Sequence, residues 1–132
     1  MTASSNTAAF APQLITHDGA AAIEFYKKAF GIEEMGRWNN DDGTVHVAEL
    51  SFRGTIFHLR EASAEKGNYS PLSVNGSTVI LGVFVNDVDA LAQQAVAAGA
   101  ILVHPPQDYE YHYRQATVRD PFGHQWLLEK KI

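Results

Sequence analysis

The chain has 132 residues, 45% hydrophobic and 19% charged, which predicts one folded domain and excludes extensive disorder. Fifteen acidic residues against ten Lys and Arg give a net charge of −5, which disfavours nucleic acid as a partner. The absence of cysteine excludes disulfides, a thiolate nucleophile and cysteine-ligated zinc, and we expect a cytoplasmic protein. Because no apolar run reaches the ~18 residues of a membrane span, we expect no membrane partner either.

The first half of the chain predicts one strand, one helix and three further strands. Residues 1–11 lack the features of a secretion signal and are expected to be a flexible tail. Ile23, Tyr26 and Phe30 follow helical spacing between Asp18, which suits an N-cap, and a closing glycine. The predicted strands of this module, residues 12–61, are 12–16, 33–38, 45–52 and 55–60.

The second half repeats the same order. Asn86-Asp87 offers an N-cap for a helix through Leu91 and Ala95 that ends before Gly99. The predicted strands of this module, residues 78–132, are 78–85, 101–104, 109–119 and 124–129. Residues 62–77, rich in Ser and Gly, are expected to form a linker. The chain therefore predicts an α+β fold of two βαβββ modules.

Side-chain alternation divides each predicted sheet into an apolar side under the helix and a more polar opposite side. The opposite side is predicted to carry Ile56, His58, Arg60, Ile80, Gly82, Phe84, Gln125, Leu127 and Glu129. A two-residue turn at Arg53-Gly54 would pair Glu49 with His58 on this side. A turn at Asp120-Pro-Phe-Gly123 would pair Thr117 with Leu127.

Two groups on this more polar side are candidates for function. Glu49 beside His58 could work as an acid–base pair near neutral pH, or could be an ordinary cross-strand polar pair. By the same alternation we expect His46 on the helix side. We expect His124 to stabilise the hairpin that it follows.

Aromatic residues form the second group. Tyr109, Tyr111 and Tyr113 alternate within one predicted strand, so their rings should share a face and could form a pocket with Trp38 and Phe84. Such a pocket would stack a flat or cationic small molecule, and the acidic net charge favours a cation. Alternatively, part of this aromatic stripe packs at a dimer contact.

Three stretches resemble the vicinal oxygen chelate superfamily of glyoxalases, bleomycin-resistance proteins and extradiol dioxygenases, in its PhnB-like, glyoxalase-like branch. They are DGAAAIEFYKKAFG at 18–31, HVAEL at 46–50 and VRDPFGH at 118–124. The resemblance covers most of residues 12–131. It implies that the two modules form a curled mixed sheet around a cavity, with the helices on the convex face, commonly in a homodimer.

Metal-dependent members of that superfamily carry four ligands in the cavity. By spacing, these positions correspond to Ala11, His58, Ile80 and Leu127, of which only His58 can coordinate a metal. A catalytic zinc site uses at least three protein ligands, so a divalent metal is disfavoured. One alternative stays open: a metal site in which His58 and Glu49 supply two ligands, and Glu129 or a His of another chain supplies the third.

The sequence therefore predicts a homodimer that binds a small molecule in a concave cavity, with no firmly expected cofactor. The candidate catalytic residues are His58 and Glu49. The candidate ligand-binding residues are Trp38, Arg60, Ile80, Phe84, Tyr109, Tyr111, Tyr113 and Leu127. One alternative is a lyase, isomerase or dioxygenase-type enzyme that uses His58 with Glu49, with or without metal. Another is an antibiotic-sequestering resistance protein, which would bind tightly without turnover.

Overall fold

In the computed structural model, which describes residues 7–132, eight strands form two mixed four-stranded sheets. The first sheet contains β1 (Gln13–Thr16), β2 (Glu33–Asn39), β3 (Val45–Phe52) and β4 (Thr55–Glu61). The second contains β5 (Ile80–Phe84), β6 (Ile101–Tyr109), β7 (Tyr113–Arg119) and β8 (Gln125–Lys131). The strand orders are β1-β4-β3-β2 and β5-β8-β7-β6, so the sheets have equivalent topology. The prediction of two βαβββ modules is confirmed.

Each module has one long helix, α1 (Gly19–Phe30) or α3 (Val88–Ala98), and both have the predicted caps. Asp18 accepts a hydrogen bond from the backbone N–H of Ala21, and Asp87 accepts one from Ala90. Gly31 ends α1 in the left-handed conformation, which glycine adopts without a steric penalty. The segment between the modules contains the short helix α2 (Pro71–Val74).

The two hairpins have the predicted registers. Glu49 lies opposite His58 across β3 and β4, and Thr117 lies opposite Leu127 across β7 and β8. Gly123 closes the second hairpin with φ +93°, a conformation that favours glycine. Because side chains alternate along a strand, these registers place Glu49 with His58 on one side of the first sheet, away from α1.

One hydrophobic core joins the two modules on what we call the helix side, the side of each sheet that packs against α1 or α3. Helices α1 and α3 contact each other. The rings of Tyr26 and Phe30 lie 5.5 and 4.6 Å from the ring of Trp126 in the other module. The Tyr26 hydroxyl and the Trp126 Nε1–H both donate to the buried carboxylate of Asp120, at 2.6 and 2.9 Å. The modules are therefore held together through their helix sides.

The predicted strand at 109–119 is wrong. Strand β6 continues to Tyr109, a turn with His112 at φ +66° follows, and β7 begins at Tyr113. Pro105 and Pro106 do not end β6, because it is an edge strand and its register with β7 shifts between His104 and Gln107, so that neither proline has a β7 partner. The three tyrosines therefore lie around a hairpin rather than along one strand.

The predicted position of His46 is also wrong. His46 is exposed rather than on the helix side, because Trp38 pairs with Val47 and Asn39 with Val45, which leaves His46 in a bulge. His124 stabilises its hairpin as expected, since its backbone N–H donates to Asp120 Oδ1 and its carbonyl oxygen accepts from the Asp120 N–H. Its ring also reaches the other module, where Nε2 lies 2.9 Å from the carbonyl oxygen of Ile15 in β1. Among residues 7–132, no helix is long and apolar enough to cross a membrane.

Candidate functional site

We call the side of the first sheet that faces away from α1 the first open face. A cross-strand row on this face contains Gln13 of β1, His58 of β4 and Glu49 of β3, as the strand registers require. Arg60 follows His58 by two residues and therefore lies on the same face. His58, Glu49 and Arg60 are each half-buried. The face thus brings two basic groups, one amide and one carboxylate together.

A hydrogen-bonded relay links three of these side chains. Arg60 Nε donates to Gln13 Oε1 at 3.0 Å, and Gln13 Nε2 lies 3.0 Å from His58 Nδ1. Within residues 7–132, Glu49 makes no hydrogen bond or ion pair, although it lies opposite His58. The catalytic role of Glu49 and His58 therefore stays a prediction, and the direct partner of His58 is Gln13.

The indole of Trp38 lies over Gly36 on the same sheet. A Cβ atom placed on Gly36 would come within 2.9 Å of the Trp38 ring, so a larger residue would displace the indole. Gly36 pairs with Glu49, which places the Trp38 ring near the row that contains His58. The Trp38 side chain is 56% exposed. A large, flat apolar surface is therefore held beside the polar row and remains open.

The second open face, the side of the second sheet away from α3, carries a row of four aromatic rings. The ring centroids of Phe84 and Tyr113 are 6.1 Å apart, and those of Tyr113 and Tyr111 are 5.8 Å apart. Tyr111 and Tyr109 stack at 5.4 Å with nearly parallel planes. The sequence-predicted tyrosines therefore do come together, through a hairpin and with Phe84 of β5.

A glutamine also relays hydrogen bonds on the second open face. The Tyr111 hydroxyl donates to Gln115 Oε1, and Gln115 Nε2 donates to Glu129 Oε1 at 2.9 Å. Partial desolvation and the nearby Tyr109 and Glu129 raise the pKa of Tyr111, so its hydroxyl keeps the proton that it donates. A Cβ on Gly82 would meet Glu129 Oε2 at 2.8 Å, so the carboxylate lies over that glycine.

Apolar side chains of β5 and β8 complete the second open face. Ile80 and Phe84 are 61% and 62% exposed, and Leu127 is half-buried. A cavity of about 530 Å³ lies where β5 passes the β3–β4 hairpin, and both Ile80 and Phe84 line it. A second cavity, of about 780 Å³, lies between β1 and β5, with Tyr69 in its wall.

The predicted site residues fall into two separate sets. The first open face carries Trp38, Glu49, His58 and Arg60. The second open face carries Ile80, Phe84, Tyr109, Tyr111, Tyr113 and Leu127. Among the described residues, no hydrogen bond or ring contact joins one set to the other. The predicted site residues of one chain therefore occupy two separate faces.

The residues present do not fit a catalytic metal ion. Ala11, Ile80 and Leu127 offer no ligand atom, and Nδ1 of His58 is already hydrogen-bonded to Gln13. Residues 7–132 contain no group of three or more His, Asp or Glu side chains placed to hold an ion. The alternative metal site, in which Glu129 joins His58 and Glu49, is not formed within one chain either, since Glu49 and Glu129 lie on different open faces.

Sequence reasoning missed several polar residues. Gln13 and Gln115 carry no motif, and only their register opposite His58 and Glu129 could have indicated them. Asp120 was placed in a turn, but its role in fixing Tyr26 to the second module was not predicted.

Arg114 also has a structural role, on the helix side. It donates to Asp89 of α3 at 2.8 Å and to Asp108 at 2.9 Å. These hydrogen bonds raise the pKa of the Arg114 guanidinium, and the contact with Arg114 lowers the pKa of the Asp89 carboxyl. The ion pair holds the β6–β7 hairpin against α3, so Arg114 belongs to neither open face.

Comparisons with known proteins agree with this topology. Residues 7–128 match the model of the Glyoxalase/Bleomycin resistance protein/Dioxygenase superfamily. An uncharacterised protein of Mycobacterium bovis is 36% identical over 127 residues, which cover 94% of this chain and 84% of that protein. The crystal structure of TioX from Micromonospora sp. ML1 is 29% identical, with a TM-score of 0.74 over 96% of this chain and 100% of that chain. An Arabidopsis thaliana gene product is 29% identical, with a TM-score of 0.72 over 92% of this chain and 98% of that chain.

Proposed function

Because the chain belongs to the Glyoxalase/Bleomycin resistance protein/Dioxygenase superfamily, we propose that it binds a small molecule between two open faces supplied by the two copies of a homodimer. The observation that carries this proposal is the exposure of the large apolar side chains on the open faces. Trp38, Ile80 and Phe84 are each more than half exposed. Ile80 and Phe84 line one cavity, and exposed apolar surface of this kind is typical of a binding site.

The polar groups support a ligand rather than a purely apolar protein contact. Ligand sites combine apolar and aromatic walls with a few placed polar groups that fix orientation. Each open face has this combination: Trp38 lies beside the relay through Gln13, and the tyrosines lie beside the relay through Gln115. The rings of Tyr109 and Tyr111 suit a flat molecule.

The arrangement of the modules supports a second copy. The helix sides of both modules are used in the shared core, and within residues 7–132 no hydrogen bond or ring contact joins the two open faces. In a two-fold dimer, the first open face of one copy can lie opposite the second open face of its partner. Two equivalent sites then form, and the exposed aromatic rings become their walls.

Binding can be tested with anilinonaphthalene sulfonate, a flat aromatic probe that fluoresces in apolar sites. We expect saturable fluorescence with the native protein and a loss of at least about fivefold in affinity for Tyr111→Ala, because stacking on an aromatic ring contributes about 1 kcal/mol. Tyr69→Ala is a matched control, since Tyr69 and Tyr111 are 55% and 53% exposed. Loss of binding in the Tyr69 variant alone would move the site to the cavity between β1 and β5.

The dimer can be tested by sedimentation equilibrium at micromolar concentration. We expect twice the chain mass of 14.5 kDa. A mass of one chain at every concentration would contradict the dimer and would leave the two open faces as separate surfaces.

A second candidate function is catalysis by His58 with Glu49. It is favoured by their positions directly opposite each other on the neighbouring strands β4 and β3. A carboxylate near an imidazole suits general acid–base chemistry in a lyase, isomerase or dioxygenase-type reaction. The test is turnover of the methylglyoxal–glutathione hemithioacetal and of catechol. Catalysis predicts turnover that Glu49→Gln and His58→Gln abolish and that the exposed Glu33→Gln leaves intact. Tight stoichiometric binding of a drug without turnover would instead support the antibiotic-sequestering alternative.

A further inference from the structure

The relay on the first open face has a defined direction. A guanidinium can donate hydrogen bonds but cannot accept them, so the atom of Gln13 that faces Arg60 Nε must be its carbonyl oxygen, Oε1. The amide nitrogen of Gln13 then faces His58. Since an amide nitrogen is only a donor, it donates to His58 Nδ1 across 3.0 Å. Arg60 therefore fixes the orientation of Gln13, and Gln13 fixes that of the imidazole.

This direction assigns the hydrogen of the imidazole. A neutral histidine has one protonated and one unprotonated nitrogen, and Nδ1 of His58 must be unprotonated to accept from Gln13. The hydrogen of neutral His58 is therefore on Nε2. Within residues 7–132, neither Nε2 of His58 nor the two terminal nitrogens of Arg60 make a hydrogen bond. Two unused donor groups thus stand on one open face, two residues apart.

We propose that these donors bind a carboxylate of the small molecule, an assignment that rests on the proposed function and specifies its ligand class. Arg60 supplies the positive charge and His58 Nε2–H supplies a second hydrogen bond. Hydrogen bonds between a guanidinium and a carboxylate are among the strongest in proteins. Trp38, held over Gly36 on the same sheet, provides a surface for an attached ring.

The same assignment explains why His58 is a poor metal ligand. A metal needs an unprotonated nitrogen, but Nε2 carries the hydrogen and Nδ1 is bonded to Gln13. Removing the hydrogen from Nε2 would move it to Nδ1, and Gln13 would then have to rotate its amide so that the carbonyl oxygen faces Nδ1. That rotation would place the amide nitrogen, a donor, against the Arg60 guanidinium, which is also a donor. At the position where metal-dependent relatives of this fold hold an ion, this chain instead offers donors to an anionic oxygen.

Glu49 determines which side of His58 the carboxylate occupies. It lies on β3, directly opposite His58 of β4, whereas Gln13 of β1 lies on the other flank of His58. Because like charges repel, the ligand carboxylate belongs on the Arg60 side of the row, away from Glu49. Glu49→Gln is therefore expected to tighten carboxylate binding by about twofold, whereas Arg60→Gln weakens it.

The first test measures the tautomer without any ligand. In proton–nitrogen correlation spectra of isotope-labelled protein above pH 8, we expect Nε2 of His58 to be protonated and Nδ1 unprotonated. Gln13→Glu should reverse this pattern, because a carboxylate accepts from both Arg60 and a protonated Nδ1. The control Gln93→Glu, on α3, should leave the His58 signals unchanged. A hydrogen on Nδ1 in the native protein would overturn the inference, whatever the protein binds.

The second test measures ligand class with naphthoate and naphthamide, which differ only in the carboxylate. By calorimetry we expect naphthoate to bind native protein at least about tenfold more tightly, and Arg60→Gln to remove that preference. The control Lys28→Gln, on the exposed surface of α1, should keep it. Equal or tighter binding of naphthamide would overturn the inference while leaving the proposed function standing. Failure of both probes to bind, together with anilinonaphthalene sulfonate, would contradict the proposed function itself.

Discussion

The helix side and the open faces of the same two sheets differ in how completely their side chains are used. On the helix side, aromatic rings of both modules pack together, and Asp120 accepts four hydrogen bonds. On the open faces, Trp38 and Phe84 are exposed, and Arg60 keeps unused donors. The difference indicates that one side supplies the stability of the fold, and that the other leaves its aromatic and polar groups exposed for the proposed ligand.

A matched pair of isoleucine substitutions tests this division most strongly. Ile23 of α1 is fully buried, whereas Ile80 of β5 is 61% exposed. Ile23→Ala should lower the free energy of unfolding by about 2 to 5 kcal/mol, because it leaves a cavity in the core. Ile80→Ala should lower it by less than about 1 kcal/mol. Urea unfolding measures both, and equal losses would show that the open face also supports the fold.

The hydrogen bond from Tyr26 to Asp120 gives a smaller effect. Tyr26→Phe removes a bond to a buried carboxylate, so we expect a loss of about 1 to 3 kcal/mol in the free energy of unfolding at neutral pH. Binding of anilinonaphthalene sulfonate should not change, since Tyr26 is on the helix side. Weaker probe binding at unchanged stability would contradict the separation of the two sides.

The same residue predicts a pH dependence. Burial, with the charge and hydrogen bond of Asp120, raises the pKa of Tyr26 well above 10.0, so the folded state favours the neutral phenol. This stabilisation is complete below the unfolded pKa near 10 and is lost as the pH rises toward the folded pKa. The native protein should therefore lose stability above pH 10 more steeply than Tyr26→Phe. Urea unfolding at several alkaline pH values measures this. An equal decrease in the free energy of unfolding with pH for both proteins would contradict the prediction.

Metal retention is where we expect the smallest effect. Tag-free protein dialysed against zinc, nickel and manganese should retain much less than one equivalent per chain, because His58 is the only candidate ligand at four positions. His58→Ala should leave that background unchanged. Stoichiometric retention that disappears in the His58 variant would contradict the assignment of a hydrogen to Nε2.

Features that depend on local chemistry could be predicted from the sequence. The caps at Asp18 and Asp87 and the turn at Gly123 each follow from one residue type in one conformation. The strand bounds near Pro105 could not, because whether a proline ends a strand depends on whether that strand is at an edge. The bulge at His46 likewise depends on how β2 pairs with β3.

The candidate site divides in the same way. The pairing of Glu49 with His58 could be predicted, because a two-residue turn at Arg53-Gly54 fixes the register of β3 and β4, and alternation then places both side chains on one face. The relays through Gln13 and Gln115 depend on which strands become neighbours far along the chain, and glutamine alone carries no signal of function. The grouping of the three tyrosines with Phe84 was predicted for the wrong reason, since a hairpin rather than one strand aligns the tyrosines, and Trp38, predicted in the same pocket, lies on the first open face.

The central claim is that each site combines the first open face of one copy with the second open face of its partner. Trp38→Ala and Tyr111→Ala chains, each expressed alone, should bind anilinonaphthalene sulfonate at least about fivefold more weakly than the native protein and so have no site of native affinity. When the two variants are co-expressed, half of the dimers are mixed and each has one intact site, so about a quarter of the native binding capacity should return. A mixture that binds no more than the separate variants would contradict the claim.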